Sequence, residues 1–263
     1  MFLIFIINVS PLEKQLSYAD YLFEEGDYFR AITEYKRFIF LSPNPEEKLF
    51  AKKRILSSYK KACRYEEAMD YLETFQSEGL KNLEKGKLNI LMGNAARART
   101  FFESNDSDTA KILKGWTYFE EANWEKAGEE FLIISDNSAL STIAENLSAY
   151  AEKADTEIEE RNVLLSALFS SIIPGSGRFY AGRPGDGFFS FLTVAIPSLI
   201  SYVYWKKNRK KASSIAISFA AIFYVGDIYG SIVAIEEFNK VKEKEYLEKI
   251  ENNLHIQERF IKQ

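Results

Sequence analysis

Few side chains in this sequence are of the types that enzymes use for covalent or metal-assisted chemistry. The 263 residues include one cysteine, Cys63, and one histidine, His255. A nucleophile needs an activating base and a zinc site needs several ligands, so neither residue type can build such a site alone. Cys63 follows Ala62 in a helical pattern, which predicts a small buried helix residue, whereas His255 lies in a polar tail. We therefore expect no catalytic, cofactor-binding or metal-binding residues and predict that the protein is not an enzyme.

A glycine-rich segment, PGSGRFYAGRPGDG at residues 174–187, is the second feature with chemical potential. Such loops can cradle phosphates, but no Gly-Lys-Ser/Thr sequence follows, and the dinucleotide-binding pattern would require glycine at Tyr180. Proline ends helices and glycine permits left-handed backbone, so this composition instead predicts a shaped turn. The residues expected to form the turn are Pro174, Gly175, Gly177, Gly182, Gly185 and Gly187.

Two long apolar runs follow this turn. Residues 188–205 and 212–226 contain no charged side chain, and the basic sequence KKNRKK separates them. With its flanks, each run is about as long as a bilayer-spanning helix, which needs roughly 17–25 residues. Trp205, beside the basic sequence, is typical of a membrane interface. We predict transmembrane helices at 187–205 and 212–235, and the alternative is a buried helical hairpin in a soluble core.

The sequence predicts one further membrane segment within a membrane domain at 160–236. Val163 to Ile173 is apolar but too short to cross a bilayer, so we expect a re-entrant segment at 163–180. Because positively charged short loops stay on the cytoplasmic side, the basic sequence marks that side. A re-entrant segment then places the N-terminal region outside the cytoplasm, whereas a spanning helix that extends to Tyr180 would place it inside. We predict the outside location.

Residues 11–155 carry a recurring helical pattern. Gly26 separates two amphipathic segments, and small and aromatic residues return in the same order around Tyr65 and around Trp124. The interval between the last two exceeds the ~34-residue period of the tetratricopeptide repeat, so we expect a degenerate unit within Leu88–Phe102. The pattern resembles that repeat, in which pairs of antiparallel helices stack and bind protein partners on a concave surface. The alternative is an irregular helical bundle.

The two ends of the chain differ in character. Residues 1–10, MFLIFIINVS, are apolar but lack the basic region of a secretion signal. They predict a short or truncated export signal, or else an apolar first turn of the helical array. Residues 237–263 predict a charged amphipathic helix that packs back onto the array, with a partner-binding or self-associating helix as the alternative. Its apolar stripe consists of Leu247, Ile250, Leu254 and Ile261.

Two sequence elements in the membrane domain resemble those of a small bacterial membrane-domain family. The string SSIIPGSGRFYAGRPGDG at 170–187 is similar to the family's LPGxGQxYxGrxxdG element, and GDIYGSIVAIEEFN at 226–239 is similar to GNIYGAxxAxxxYN. The resemblance covers about residues 163–240. Family members often carry tetratricopeptide-like repeats before this domain, and some accompany a small factor that assists the membrane-protein insertase. Arg178 and Asp227 replace the usual glutamine and asparagine.

Those two departures predict an ion pair. Asp227 lies in an apolar run, where an unpaired carboxylate is costly and normally faces protein or water. We expect Asp227 to pair with Arg178, or else with Arg183, and so to fasten the glycine turn to the last span. The alternative is an isolated Asp227 that reaches an aqueous cavity. The candidate cluster in the membrane domain is therefore Arg178, Arg183, Asp186 and Asp227.

These features together predict an all-α protein: a tetratricopeptide-like helical repeat array followed by a helical transmembrane domain with a re-entrant or short helix and two transmembrane helices. The net charge of −4 and the lack of a basic stripe argue against nucleic-acid binding. We expect a scaffold in the bacterial inner membrane, with the array in the periplasm, that recruits protein partners for envelope protein biogenesis or membrane-protein insertion. The alternative is a small oligomeric transporter or lipid-handling protein that uses Arg178, Asp186 and Asp227. The lipid bilayer is an expected partner in both cases, and self-association stays open.

Overall fold

The computed structural model describes residues 10–262, and every regular element in that range is helical. The predicted all-α class is therefore confirmed. The chain divides into two compact units, of which Met1–Glu152 with Ile250–Gln263 form the first and Lys153–Lys249 the second. We call them the array unit and the apolar unit. The predicted export signal at residues 1–10 lies outside the described residues except for Ser10.

The array unit is built from consecutive helices, each packed against the next along the chain from α1 to α8. The first helix begins at a capping box, in which the backbone N–H of Glu13 donates to Ser10 Oγ (3.1 Å) and the backbone N–H of Ser10 donates to the Glu13 carboxylate (2.7 Å). The helices are α1 (Pro11–Glu24), α2 (Tyr28–Leu41), α3 (Pro45–Lys61), α4 (Tyr65–Leu72), α5 (Glu78–Leu91), α6 (Ala95–Phe102), α7 (Asp108–Glu120), α8 (Trp124–Leu132) and α9 (Ser141–Glu157).

The turns inside the first four helix pairs share one backbone device. In each turn, a residue with positive φ comes directly before the N-cap residue of the second helix. A residue in this left-handed conformation reverses the direction of the chain after the first helix ends. The residues are Gly26 (81°), Cys63 (55°), Gly93 (74°) and Ala122 (54°). The prediction for Cys63 is wrong: its side chain is exposed, because α3 ends at Lys61 and Cys63 forms the turn to α4.

The helix pairs also bury side chains at matching positions. A buried alanine lies in the second helix of each pair, and a large buried apolar side chain follows it by one turn. Aromatic rings lie over glycines in two pairs, Phe102 over Gly86 and Phe131 over Gly115, so that a Cβ at either glycine would collide with the ring. The degenerate unit predicted within Leu88–Phe102 corresponds to the end of α5 and all of α6, and the pair begins earlier, at Glu78. The matching residues are Ala31, Ala68, Ala98 and Ala127, followed by Tyr35, Leu72, Phe102 and Phe131.

A buried ion cluster joins α3 to α5. Lys60 Nζ lies 2.7 Å from one carboxylate oxygen of Glu84, and Lys87 Nζ lies 2.7 Å from the other. Burial works against the Glu84 carboxylate, but the attraction of the two lysines outweighs it and lowers its pKa. Burial also lowers the pKa of Lys60, and attraction to Glu84 opposes that shift. The buried positive charges of Lys60 and Lys87 are therefore balanced by the Glu84 carboxylate, and its negative charge is balanced by theirs.

The apolar unit contains two short helices followed by two long ones. They are α10 (Val163–Ile172), α11 (Ser176–Tyr180), α12 (Pro184–Lys206) and α13 (Lys210–Leu254). By length and composition, α12 and α13 could each cross a membrane. The predicted break between a span at 212–235 and a separate helix at 237–263 is wrong, because α13 continues without interruption to Leu254. Glutamate and lysine are strong helix formers, so the end of the apolar run did not end the helix.

Candidate functional site

The glycine turn of the apolar unit is shaped by two backbone segments in direct contact. The helix α10 ends where Ile173 becomes extended, and Gly175 has a φ of 87°. A Cβ on Gly175 would collide with the carbonyl of Gly187, and a Cβ on Gly187 would lie 2.5 Å from the Phe179 ring. Both glycines are therefore required by close approach, and the predicted shaped turn is confirmed at these positions.

Asp227 of α13 binds this turn from its buried side. Its side chain is 1% exposed, and its Oδ2 accepts a hydrogen bond of 2.7 Å from the backbone N–H of Gly175. Arg178 Nε lies 3.4 Å from Asp227 Oδ1, which is within ion-pair distance but not aligned for a hydrogen bond. The Arg178 guanidinium lies against Gly230, where a Cβ would displace it. The predicted pairing of Asp227 with Arg178 is thus confirmed, and Asp227 fastens the turn to α13.

The other two predicted charges do not join this pair. Arg183 Nε lies 2.7 Å from Asp186 Oδ2 one helical turn away, and about half of each side chain is exposed. Gly182, with a φ of 77°, begins this exposed part, and no neighbour lies within 4 Å of a Cβ placed on Gly185. Pairing of Asp227 with Arg183 is therefore wrong. The four predicted residues form one buried pair and one surface pair.

Small residues bring α10, α11 and α13 together. The backbone N–H of Gly177 donates to Ser170 Oγ at 3.1 Å, and Ser166 Oγ donates to the carbonyl oxygens of Gly177 (3.3 Å) and Ser231 (3.0 Å). A Cβ on Gly177 would lie 2.7 Å from Ser231 Cβ. Close contact through glycine and serine, with hydrogen bonds between helices, is typical of helix packing inside membranes.

A second contact with α13, which was not predicted from the sequence, lies just before the start of α10. The backbone N–H of Arg161 donates to Asn239 Oδ1 (2.9 Å), and Asn239 Nδ2 donates to the carbonyl of Arg161 (3.0 Å). The Arg161 guanidinium stacks 3.9 Å from the centre of the Phe238 ring and donates to the carbonyl of Tyr180. Phe238 and Asn239 are the last two residues of the sequence element at 226–239, and their place in that element was the signal that could have indicated this contact.

The long helices α12 and α13 are joined near the basic sequence by a serine pair. Ser201 Oγ donates to the carbonyl of Ser213 (3.0 Å), and Ser213 Oγ donates to the carbonyl of Ser201 (3.0 Å). Asn208, with a φ of 56°, forms the turn between the helices. The lysines and the arginine around it are exposed. The hairpin therefore has a polar internal contact and a charged tip.

The apolar unit has its small and polar residues inside and many of its large apolar residues outside. Of the residues in the most apolar stretch of α12, 22% are buried, and of those in α13, 17%. The core helix of a soluble protein would be mostly buried, so this distribution is compatible with membrane association. The buried polar residues are Ser166, Ser170, Ser190, Ser201, Ser213, Asp227 and Ser231. Large side chains at least half exposed include Leu164, Leu168, Ile172, Phe188, Phe189, Leu199, Trp205, Ile215, Ile222 and Val225.

Comparison with known proteins places no further constraint on this site. No protein-family model, curated protein or solved structure matches the chain. Within residues 10–262, no group of three or more His, Cys, Asp or Glu side chains is arranged to hold a metal ion. Over the described residues the geometry defines an all-helical protein with two long apolar helices, in which Asp227 of the second helix holds the glycine turn through an ion pair with Arg178 and a hydrogen bond from Gly175.

Proposed function

We propose that this chain is a membrane-anchored scaffold whose helical array recruits protein partners. The observation that carries the proposal is the distribution of side chains in the apolar unit, which is the reverse of that in a soluble protein. Serines, glycines and an ion pair lie inside, and leucine, isoleucine and phenylalanine lie outside. Monomeric soluble proteins rarely expose apolar patches larger than a few hundred Å². Lipid would cover these side chains, and the family resemblance of residues 163–240 supports the same placement.

The array unit supplies the recruiting part of the proposal. Consecutive helix pairs, a left-handed residue in each turn and an alanine at one fixed position in the second helix support a tetratricopeptide-like array. Arrays of this kind present extended concave surfaces to peptides and proteins. Together with the resemblance to a bacterial membrane-domain family, this favours a role in envelope protein biogenesis or membrane-protein insertion.

The division of the predicted charges weakens the alternative of transport. A transport pathway that used Arg178, Asp186 and Asp227 would need them to converge on one accessible cavity. Asp227 is buried and bonded to Gly175, whereas Asp186 pairs with Arg183 at the surface. No observation therefore favours transport over recruitment.

Purification of the tagged full-length chain in a mild detergent tests recruitment. We expect a reproducible set of co-purifying proteins that is lost when residues 11–155 are deleted, while the deleted form still reaches the membrane. Reconstituted vesicles that retain a substrate flux after the same deletion would instead support transport. A partner set unchanged by the deletion would refute recruitment by the array.

The proposed orientation can be tested with the single native cysteine. Cys63 is exposed in the array unit, so a membrane-impermeant maleimide should label it from the periplasmic side of spheroplasts. The matched control is Asn208→Cys, at the exposed basic turn, in a Cys63→Gly background, since glycine accepts the positive φ at position 63. We expect the control to label only after the inner membrane is opened, because basic loops stay cytoplasmic. Labelling of Cys63 only after the inner membrane is opened, as for the control, would place the array in the cytoplasm.

A further inference from the structure

The last residues of the chain fold onto the array unit as a distinct segment. After α13 ends at Leu254, His255 takes a φ of 51° and the chain turns into a short π-helix at Gln257–Ile261. Both carboxylate oxygens of Glu251 accept the backbone N–H of Gln257 at 3.1 Å. Ile256 and Ile261 are completely buried. We call Ile256–Lys262 the tail segment.

The chain end contacts three helices of the array unit, which are α3, α5 and α9. In α3, Lys60 Nζ donates to the carbonyl of Ile261 at 3.2 Å, and the π-helix packs against α5. In α9, the hydroxyl of Tyr150 accepts a 2.8 Å hydrogen bond from Asn253 Nδ2. The chain end therefore runs along one face of the array.

The tail segment fills this face incompletely. A cavity of about 420 Å³ lies beside it, lined by Phe23 of α1, by Arg54 and Lys61 of α3, and by Glu258 and Lys262 of the tail segment itself. The Arg54 guanidinium lies 3.9 Å from the centre of the Phe23 ring and pairs with Glu24, which also lines the cavity, so the border of the cavity is aromatic and carries charges of both signs. The tail segment is thus held by two buried isoleucines and one carbonyl contact beside a partly open groove.

The buried lysine gives this face a chemical preference. Lys60, Glu84 and Lys87 together carry two positive charges and one negative charge, and Lys60 is 4% exposed. An ammonium group in such a position needs oxygen acceptors, and the carbonyl of Ile261 supplies one. A ligand for this face must therefore bring an oxygen acceptor together with apolar side chains.

We propose that the face formed by α1, α3 and α5 is a peptide-binding surface whose resident ligand is the tail segment. This rests on the proposed function, because it identifies the surface through which the array recruits partners. The partner is a peptide segment with two aliphatic side chains five residues apart, like Ile256 and Ile261, that presents a carbonyl to Lys60. The partner peptide binds when it displaces the tail segment. Its apparent affinity is therefore the intrinsic affinity multiplied by the fraction of chains whose face is free of the tail segment.

A peptide-exchange measurement on the purified full-length protein in detergent tests this. The probe is a fluorescent synthetic peptide of residues 250–262, and the opened protein carries Ile256→Asp and Ile261→Asp. We expect the opened protein to bind the probe at least about tenfold more tightly than the wild type, because its own tail segment no longer competes. A probe that carries Ile261→Asp should not bind, and Lys60→Met in the opened protein should weaken binding of the unmodified probe several-fold.

The matched control is Arg259→Glu, an exposed position in the same segment, which should leave the protein as closed as the wild type. Equal binding of the probe to the wild-type and opened proteins would overturn the proposal, as would equal binding of the Ile261→Asp probe. Loss of the array's cooperative unfolding transition in the opened protein would also overturn it, since the tail segment would then be part of the fold. The measurement uses no cellular partner, so its failure is distinct from failure of the recruitment experiment.

Discussion

Asp227→Asn is expected to destabilise the apolar unit by about 3 kcal/mol, near the lower end of the cost of removing one partner of a buried ion pair, because Arg178 stays partly exposed. Asparagine can still accept the N–H of Gly175 through its amide oxygen, so the change isolates the loss of charge. Arg178 is then left with an uncompensated charge against Gly230. Unfolding by sodium dodecyl sulfate in mixed micelles, followed by tryptophan fluorescence, measures the difference.

The double change Asp227→Asn with Arg178→Gln should recover at least about 1 kcal/mol, within the usual range of coupling between contacting residues. The matched control is Asp186→Asn, which breaks the exposed pair with Arg183 and should cost less than about 1 kcal/mol. An Asp227→Asn variant as stable as the control, or a double variant no more stable than Asp227→Asn, would show that the pair has no structural role.

Glu84→Gln is expected to destabilise the array unit by about 3–5 kcal/mol, the cost of an uncompensated buried charge. The substitution leaves the ammonium groups of Lys60 and Lys87 beside each other with a neutral amide between them. Lys60 is nearly inaccessible, so it cannot reach water without opening the contact between α3 and α5. Urea unfolding of the full-length protein in detergent, followed by far-ultraviolet circular dichroism, measures this loss.

Glu78→Gln in the same helix is the control for this prediction. Glu78 pairs with Lys81 at the surface, and its side chain is 74% exposed. Exposed pairs contribute about 0–1 kcal/mol, so the control should unfold close to the wild type. If the two variants lost equal stability, the buried cluster would not depend on Glu84 for compensation, and the chemical preference assigned to Lys60 would lose its basis.

The sequence allowed the helical class, the glycine turn and the Asp227 pair to be predicted because each follows from a local rule. Few structures are compatible with an apolar run without charge, with glycines beside a proline, or with one carboxylate in an apolar helix. The stripe that includes Ile250 and Ile261 also predicted correctly that the chain end packs onto the array, since both residues are buried there.

Other features depend on partners far away in the sequence. Arg161 and Asn239 are hydrogen-bonded across 78 positions, and neither residue type indicates the other. Cys63 was placed in a helix because its neighbours fit the helical period, but the chain reversal after α3 required a left-handed residue there. The charges after residue 235 suggested the end of a helix, but glutamate and lysine are strong helix formers, so these charges mark a change of environment and the helix continues.

The central claim is that α12 and α13 lie in lipid, and extraction of isolated membranes tests it most directly. After washing with alkaline carbonate, which removes peripheral proteins, the full-length chain should remain in the membrane pellet and enter solution only with detergent. A chain without residues 184–235 should be released by the carbonate wash. Recovery of the full-length chain as a monodisperse particle in detergent-free buffer would contradict the claim, because its exposed leucines, isoleucines and phenylalanines would then have to be covered by something other than lipid.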